Sequence, residues 1–131
     1  MARVVHFESQ VEDVERAKAF YAAVFDWSFQ DWGQQFGATY WGITTGPQEE
    51  LGINGGLLER PAGTPSAGQG TNAYVCTIAV EDYDTTERRV LDAGGQVAMP
   101  KFAIAGMAWQ GYYLDPEGNT FGVHQPDPEA R

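Results

Sequence analysis

The sequence predicts an α+β fold made of two tandem βαβββ modules. Three observations lead there. Alternating branched and aromatic residues give way to helical spacing and back again, in the order strand, helix, three strands. The acidic turn Val11-Glu12-Asp13 returns almost verbatim as Val80-Glu81-Asp82. The closing strands also correspond, because Gly52-Ile53-Asn54-Gly55-Gly56-Leu57 stands 66 positions before Gly118-Asn119-Thr120-Phe121-Gly122-Val123. One such unit would leave a face of its sheet open, so two copies must pair, within the chain or between chains.

Taken in order, Arg3 to Val11 alternates as a first strand and stops at Glu12-Asp13. Asp13 then reads as the N-cap of a helix in which Val14, Ala17, Tyr21, Val24 and Phe25 recur at helical spacing. Three strand-like pieces follow at Trp27 to Trp32, Ala38 to Thr45 and Leu51 to Glu59, separated by Gly33, Gly37 and the Gly46-Pro47 turn. Residues 61–71, rich in Pro, Gly, Ser and Ala, read as a linker. The grammar then restarts with a strand at Asn72 to Val80 and a helix whose capping box is Asp84 with Glu87 and whose end is Gly94-Gly95. Strands at Gln96 to Ile104, Met107 to Asp115 and Asn119 to Gln125 complete it, the last entered through the turn Asp115-Pro116-Glu117-Gly118. The chain thus reads as one domain, 1–131, with module one at 1–60 and module two at 72–131.

Composition narrows the partners. The 131 residues carry 18 Asp+Glu against 8 Lys+Arg, a formal net charge of −10. Phosphate backbones and anionic membranes would be repelled, which argues against nucleic acid and membrane surface. Hydrophobic residues at 43% are too many for a disordered acidic tail. The longest apolar run, Ala19 to Phe25, is too short to cross a bilayer, and Met1 to Gln10 has no apolar stretch of signal-peptide length. The lone Cys76 cannot form an intrachain disulfide and alternates with Tyr74 and Ile78 on the side expected to be buried under the helix. A small-molecule ligand and a cytoplasmic location are the expectations.

With Val4-Val5-His6-Phe7-Glu8, the two Val-Glu-Asp turns, Arg16-Ala17-Lys18-Ala19-Phe20-Tyr21 and Asp115-Pro116-Glu117-Gly118-Asn119 before Phe121, the sequence resembles the vicinal oxygen chelate superfamily over nearly its whole length. That superfamily includes glyoxalase I, bleomycin-resistance proteins and extradiol dioxygenases, and the nearest likeness is to short glyoxalase-like proteins. The resemblance implies a curved, partly open barrel-like sheet with a cleft, and a homodimer. In metal-dependent members one side chain from the first and one from the last strand of each module hold the ion. By the resemblance, these positions fall on His6, Gly56, Val75 and Gly122. Only His6 can ligate, and one imidazole cannot hold a divalent ion against water, so no metal and no other cofactor is expected there.

Strand alternation puts His6 and Glu8 on one face, with Phe7 on the other, and an imidazole beside a carboxylate can serve as a general base. It can equally be a hydrogen-bonded structural pair. His124, two residues past Gly122, should face the cleft from module two. His6, Glu8 and His124 would also satisfy the two-histidine, one-carboxylate pattern of non-haem iron sites, although Glu8 and His124 stand one strand repeat from the ligand positions. Trp41 and Trp109, with Tyr112 beside the latter, can stack a planar or cationic ligand or simply be core. Asn54 can orient a ligand carbonyl or mark a strand irregularity.

Two functions remain open. One is a metal-free, glyoxalase-like enzyme, lyase or isomerase in type and not an authentic glyoxalase I. It would use His6 and Glu8 for proton transfer on a carbonyl or enolisable substrate, with Trp41, Asn54, Trp109, Tyr112 and His124 binding it. The other is a non-catalytic module that sequesters a cationic or aromatic molecule, as bleomycin-resistance proteins do. The net charge and the four tryptophans favour binding, and His6 beside Glu8 favours chemistry.

Overall fold

The computed structural model describes residues 2–65, 74–114, 116 and 119–131. Residues 66–71 of the predicted linker, the start of the predicted strand at Asn72, and Asp115, Glu117 and Gly118 of the predicted turn lie outside them. The fold is α+β, with eight strands and three helices among the described residues. It separates into two compact units, His6–Tyr74 and Val75–Arg131, the latter with residues 1–5.

The first unit holds β1 (Arg3–Val11) from His6 onward, α1 (Val14–Phe25), β2 (Ser28–Asp31), α2 (Gly33–Phe36), β3 (Tyr40–Thr44) and β4 (Asn54–Glu59). Their sheet order is β2-β3-β4-β1, with β1 parallel to β4 and the other pairs antiparallel. In the second, β5 (Val75–Ala79), α3 (Tyr83–Asp92), β6 (Gln96–Ile104), β7 (Ala108–Leu114) and β8 (Thr120–Pro126) give β5-β8-β7-β6, again with one parallel pair. The two units therefore repeat one topology. Module one departs from it by α2, a single turn between β2 and β3 that ends at Gly37 with φ 69°.

Both long helices start at the aspartate of the repeated turn. Asp13 accepts from the Arg16 N–H at 3.0 Å, as expected. Asp82 does the same for Thr85 at 2.8 Å, and that hydrogen bond holds its carboxyl below the usual carboxylate range. Such a cap satisfies a backbone N–H that the first helical turn would otherwise leave without a partner. The predicted capping box two residues later does not form. Asp84 instead meets Lys101 at 2.9 Å, and Glu87 accepts from the Tyr113 hydroxyl at 2.5 Å. The Tyr83 and Tyr113 hydroxyls also form a hydrogen bond at 2.8 Å, and burial followed by the Glu87 contact pushes the Tyr113 hydroxyl pKa far up.

Within each unit the strands have one helix-bearing face. Under α1, Phe7, Ile43 and Leu57 are buried, with Val14, Ala17, Trp27, Phe29 and Trp41 against them. Under α3, Val80, Tyr83, Tyr113 and Val123 form the equivalent cluster, joined by Ile78, Val90, Trp109 and Phe121. Cys76 is exposed, not buried as the alternation suggested. It pairs with Phe121 at the start of β5, but the cluster under α3 takes in Phe121 and Ile78 and leaves the thiol outside.

Candidate functional site

The chemistry-bearing residues of the first unit lie on the face turned away from α1. Phe7 enters the core, so its neighbours His6 and Glu8 project oppositely, Glu8 at only 6% exposure. Register carries that face across the sheet: His6 stands beside Asn54, Glu8 beside Gly56, and Gly56 beside Gly42. Tyr40, two residues before Gly42, shares it. The Tyr40 ring lies across Gly56, where a Cβ would collide with its hydroxyl, and that hydroxyl meets His6 Nε2 at 2.8 Å.

An aromatic stack extends from there. Phe36 lies on Tyr40 with centroids 4.2 Å apart and planes 10° from parallel. Trp32 stacks on Phe36 at 6.3 Å, and its indole covers Gly42, whose Cβ would come within 3.1 Å of it. One polar pair and three rings thus occupy one face of the first unit. The sequence alone assigned no role to Tyr40, Trp32 or Phe36. The signal available was the pair of facing glycines, Gly42 and Gly56, each of which leaves room for a ring.

The second unit has its own version. His124 is partly buried and its Nδ1 lies 2.8 Å from Gln110 Oε1. A carbonyl oxygen only accepts, so Nδ1 carries the proton and Nε2 is the basic nitrogen. Burial holds the His124 pKa below its usual value. Gly122 stands between Thr77 and Tyr112, and a Cβ there would come within 2.5 Å of Thr77 Oγ1 and 3.0 Å of Gln110 Nε2. Gln110 occupies the register position of Tyr40, two residues before the glycine's partner on the neighbouring strand.

Three expected ligand contacts are placed differently. Trp41 pairs with Leu57 and packs with Phe7 and Ile43 under α1, with Lys18 Nζ 3.4 Å from its ring centroid. Trp109 pairs with Gln125 and packs under α3, its indole N–H donating to Asp127 at 3.0 Å. Both tryptophans are on the helix side because the strand phase is set by Gly42 and Tyr112 facing the closing-strand glycines, which turns residues 41 and 109 the other way. Large rings there bury more apolar surface than they would on the open face. Asn54 does share the His6 face, but its Oδ1 accepts from the Thr45 backbone N–H at 2.9 Å and so ties the β3–β4 connection.

The superfamily's metal does not fit this donor set. The His6 nitrogen that faces the site is engaged by Tyr40, the space at Gly56 is filled by the Tyr40 ring, that at Gly122 by Thr77 and Gln110, and Val75 has no lone pair. Among the described residues no group of three or more His, Cys, Asp or Glu side chains is placed to hold an ion, the His6, Glu8 and His124 set included.

Because His124 binds its proton less tightly when folded, the unfolded chain takes up that proton first on acidification. Its contribution to stability is complete above about pH 6.5, the usual histidine value, and is lost as pH falls through that value toward the lowered native one. Denaturant titrations between pH 5 and 8 should show a drop in stability on the acid side that is smaller in His124→Gln, and identical slopes in both proteins would contradict the assigned burial.

Comparison with known proteins follows the same line. Residues 3–46 match the family model of bleomycin resistance protein-like N-terminal regions. The chain is 31% identical over 117 residues, 88% of its length, to CFP32 of Mycobacterium bovis and of Mycobacterium tuberculosis, a protein provisionally named a glyoxylase. It spans 42% of the length of those relatives. Among solved structures, a hypothetical protein of Bacillus halodurans C-125 superposes with a TM-score of 0.65 over 99% of this chain and 98% of its own. Methylmalonyl-CoA epimerase bound to methylmalonyl-CoA and ammonium also superposes with a TM-score of 0.65, over 100% and 99%. Both are 16% identical and speak for the fold. With the repeated βαβββ topology, these likenesses support the resemblance to the vicinal oxygen chelate superfamily, the solved structures bearing on the fold alone.

Proposed function

We propose that this is a glyoxalase-like small-molecule enzyme of the lyase or isomerase type that moves a proton at a carbonyl or enolisable substrate without a divalent ion. The observation that supports it is the His6–Tyr40 hydrogen bond on the same face as buried Glu8. Substrate lies against that face. The C–H bond next to its carbonyl breaks, the electron pair becomes the enolate, and the proton goes to the His6 side of the pair. Glu8, two residues along the strand and roughly 7 Å away by strand rise, balances the imidazolium charge. In the second unit taken by itself, His124, through its basic Nε2, and Tyr112 are the candidate ligand-binding residues.

A second reading, sequestration of a planar or cationic aromatic molecule, draws on the Trp32–Phe36–Tyr40 stack, which offers a ready face for stacking. The two readings part on substitution. His6→Ala should abolish turnover of an enolisable carbonyl substrate by at least about a hundredfold while a Phe36→Ala variant weakens binding and leaves residual turnover. Unchanged turnover in His6→Ala, together with a loss of binding in Phe36→Ala, would favour sequestration.

The protein is further proposed to work as a homodimer. Phe20, Val24 and Phe25 of α1 are each more than half exposed, an unusual outlay of large apolar side chains for a helix that stays in water. No helix among the described residues is long and apolar enough to cross a membrane. Light scattering at micromolar concentration should give twice the chain mass of 14.4 kDa, and a monomer mass throughout would contradict the dimer.

A further inference from the structure

The structure points to Tyr40 as the group that stands where the superfamily's ion would stand, and we propose that it is the catalytic partner of His6. This rests on the proton-transfer reading above and names the residue through which it operates. Three observations converge on Tyr40. Its hydroxyl lies 2.8 Å from His6 Nε2, the nitrogen a metal would need. Its ring fills the space over Gly56, one of the ligand positions that the resemblance implies, so a side-chain ligand there and the phenol are mutually exclusive. Phe36, stacked at 4.2 Å, and burial to 6% exposure fix the ring in that position.

A Lewis acid accepts the Nε2 lone pair, and a phenol O–H does the same as a hydrogen-bond donor. Nδ1 then carries the His6 proton. In the reaction Tyr40 Oη takes the proton from substrate carbon while its own proton passes to Nε2. One C–H and one O–H bond break, one O–H and one N–H bond form, and the carbon electron pair is left in the enolate. Phenol is restored and imidazolium is left beside Glu8. Return of the proton by the reverse route, to the same or another atom of the enolate, completes an isomerisation without any redox partner.

The test needs no substrate. In two-bond proton–nitrogen correlation spectra at pH 8, His6 of the intact protein should show Nε2 as the unprotonated nitrogen and Nδ1 as the protonated one. Tyr40→Phe keeps the ring over Gly56 and removes only the hydroxyl, so it should shift the Nε2 resonance while leaving the His124 pattern in place. Equimolar Zn²⁺, used as the probe, should leave the His6 resonances of the wild type unmoved. A protonated Nε2 in the wild type, a Nε2 resonance unaffected by Tyr40→Phe, or a Zn²⁺-induced shift at His6 would each overturn the assignment. These outcomes are independent of the turnover of His6→Ala. Loss of the catalytic reading would leave the hydrogen-bond assignment intact, and loss of the assignment would leave His6 to act through another partner.

Discussion

The absence of a side chain at Gly56 is the constraint on which the first unit's working face depends. The Tyr40 ring can cross β4 only because nothing projects from it there, and with that crossing its hydroxyl reaches His6. The Phe36 and Trp32 rings then stack outward from Tyr40, the last over a second glycine, Gly42. Any larger residue at position 56 would displace the tyrosine, and with it the partner of the histidine. Gly122 has the corresponding place in the second unit, where Thr77 and Gln110 close over it and Gln110 holds His124. Positions that the superfamily's metal-dependent members give to ligands are used here as room for neighbouring side chains.

That substitution changes what the face can do. A bound cation would polarise an oxygen by charge, whereas under the proposed function a neutral phenol and the His6 imidazole would work by hydrogen bonding and proton movement. The strongly acidic balance of the chain, −10, disfavours anionic ligands at long range, so recognition must come from the local groups. Under the proposed function the aromatic stack would provide it without charge. Segregation of the faces protects this arrangement: Phe7, Ile43, Leu57 and Trp41 take the apolar packing on the α1 side, so the opposite side is left for polar work.

The sequence alone disclosed the repeat, the α+β class, the first helix with its Asp13 cap, and the shared face of His6 and Glu8, since each follows from short-range period and capping chemistry. The Asp82 cap was equally legible as the counterpart of Asp13, but Asp84 with Glu87 imitates a capping box and the helix is in fact capped two residues earlier. Helix α2 escaped because four residues beginning with glycine carry no period. The tryptophans were misplaced for a different reason. Alternation says that residues 40 and 42 share a face and 41 does not, but which face meets the helix depends on cross-strand register, here Gly42 against Gly56 and Tyr112 against Gly122. Tyr40 went unassigned because its partner, His6, is 34 residues away and the contact exists only through β4 lying between them.

The architecture leaves the ion as the variable on which the account turns, since proteins similar to this chain differ in what they are named for. The central claim is that the ligand positions of this chain are closed to a metal by Tyr40, Thr77 and Gln110. It is tested most directly by elemental analysis of the protein purified from medium supplemented with nickel, zinc and iron. The account predicts metal far below one equivalent per chain after brief chelation, with no difference between wild type and His6→Ala. Near-stoichiometric metal that survives chelation in the wild type and is lost in His6→Ala would contradict it.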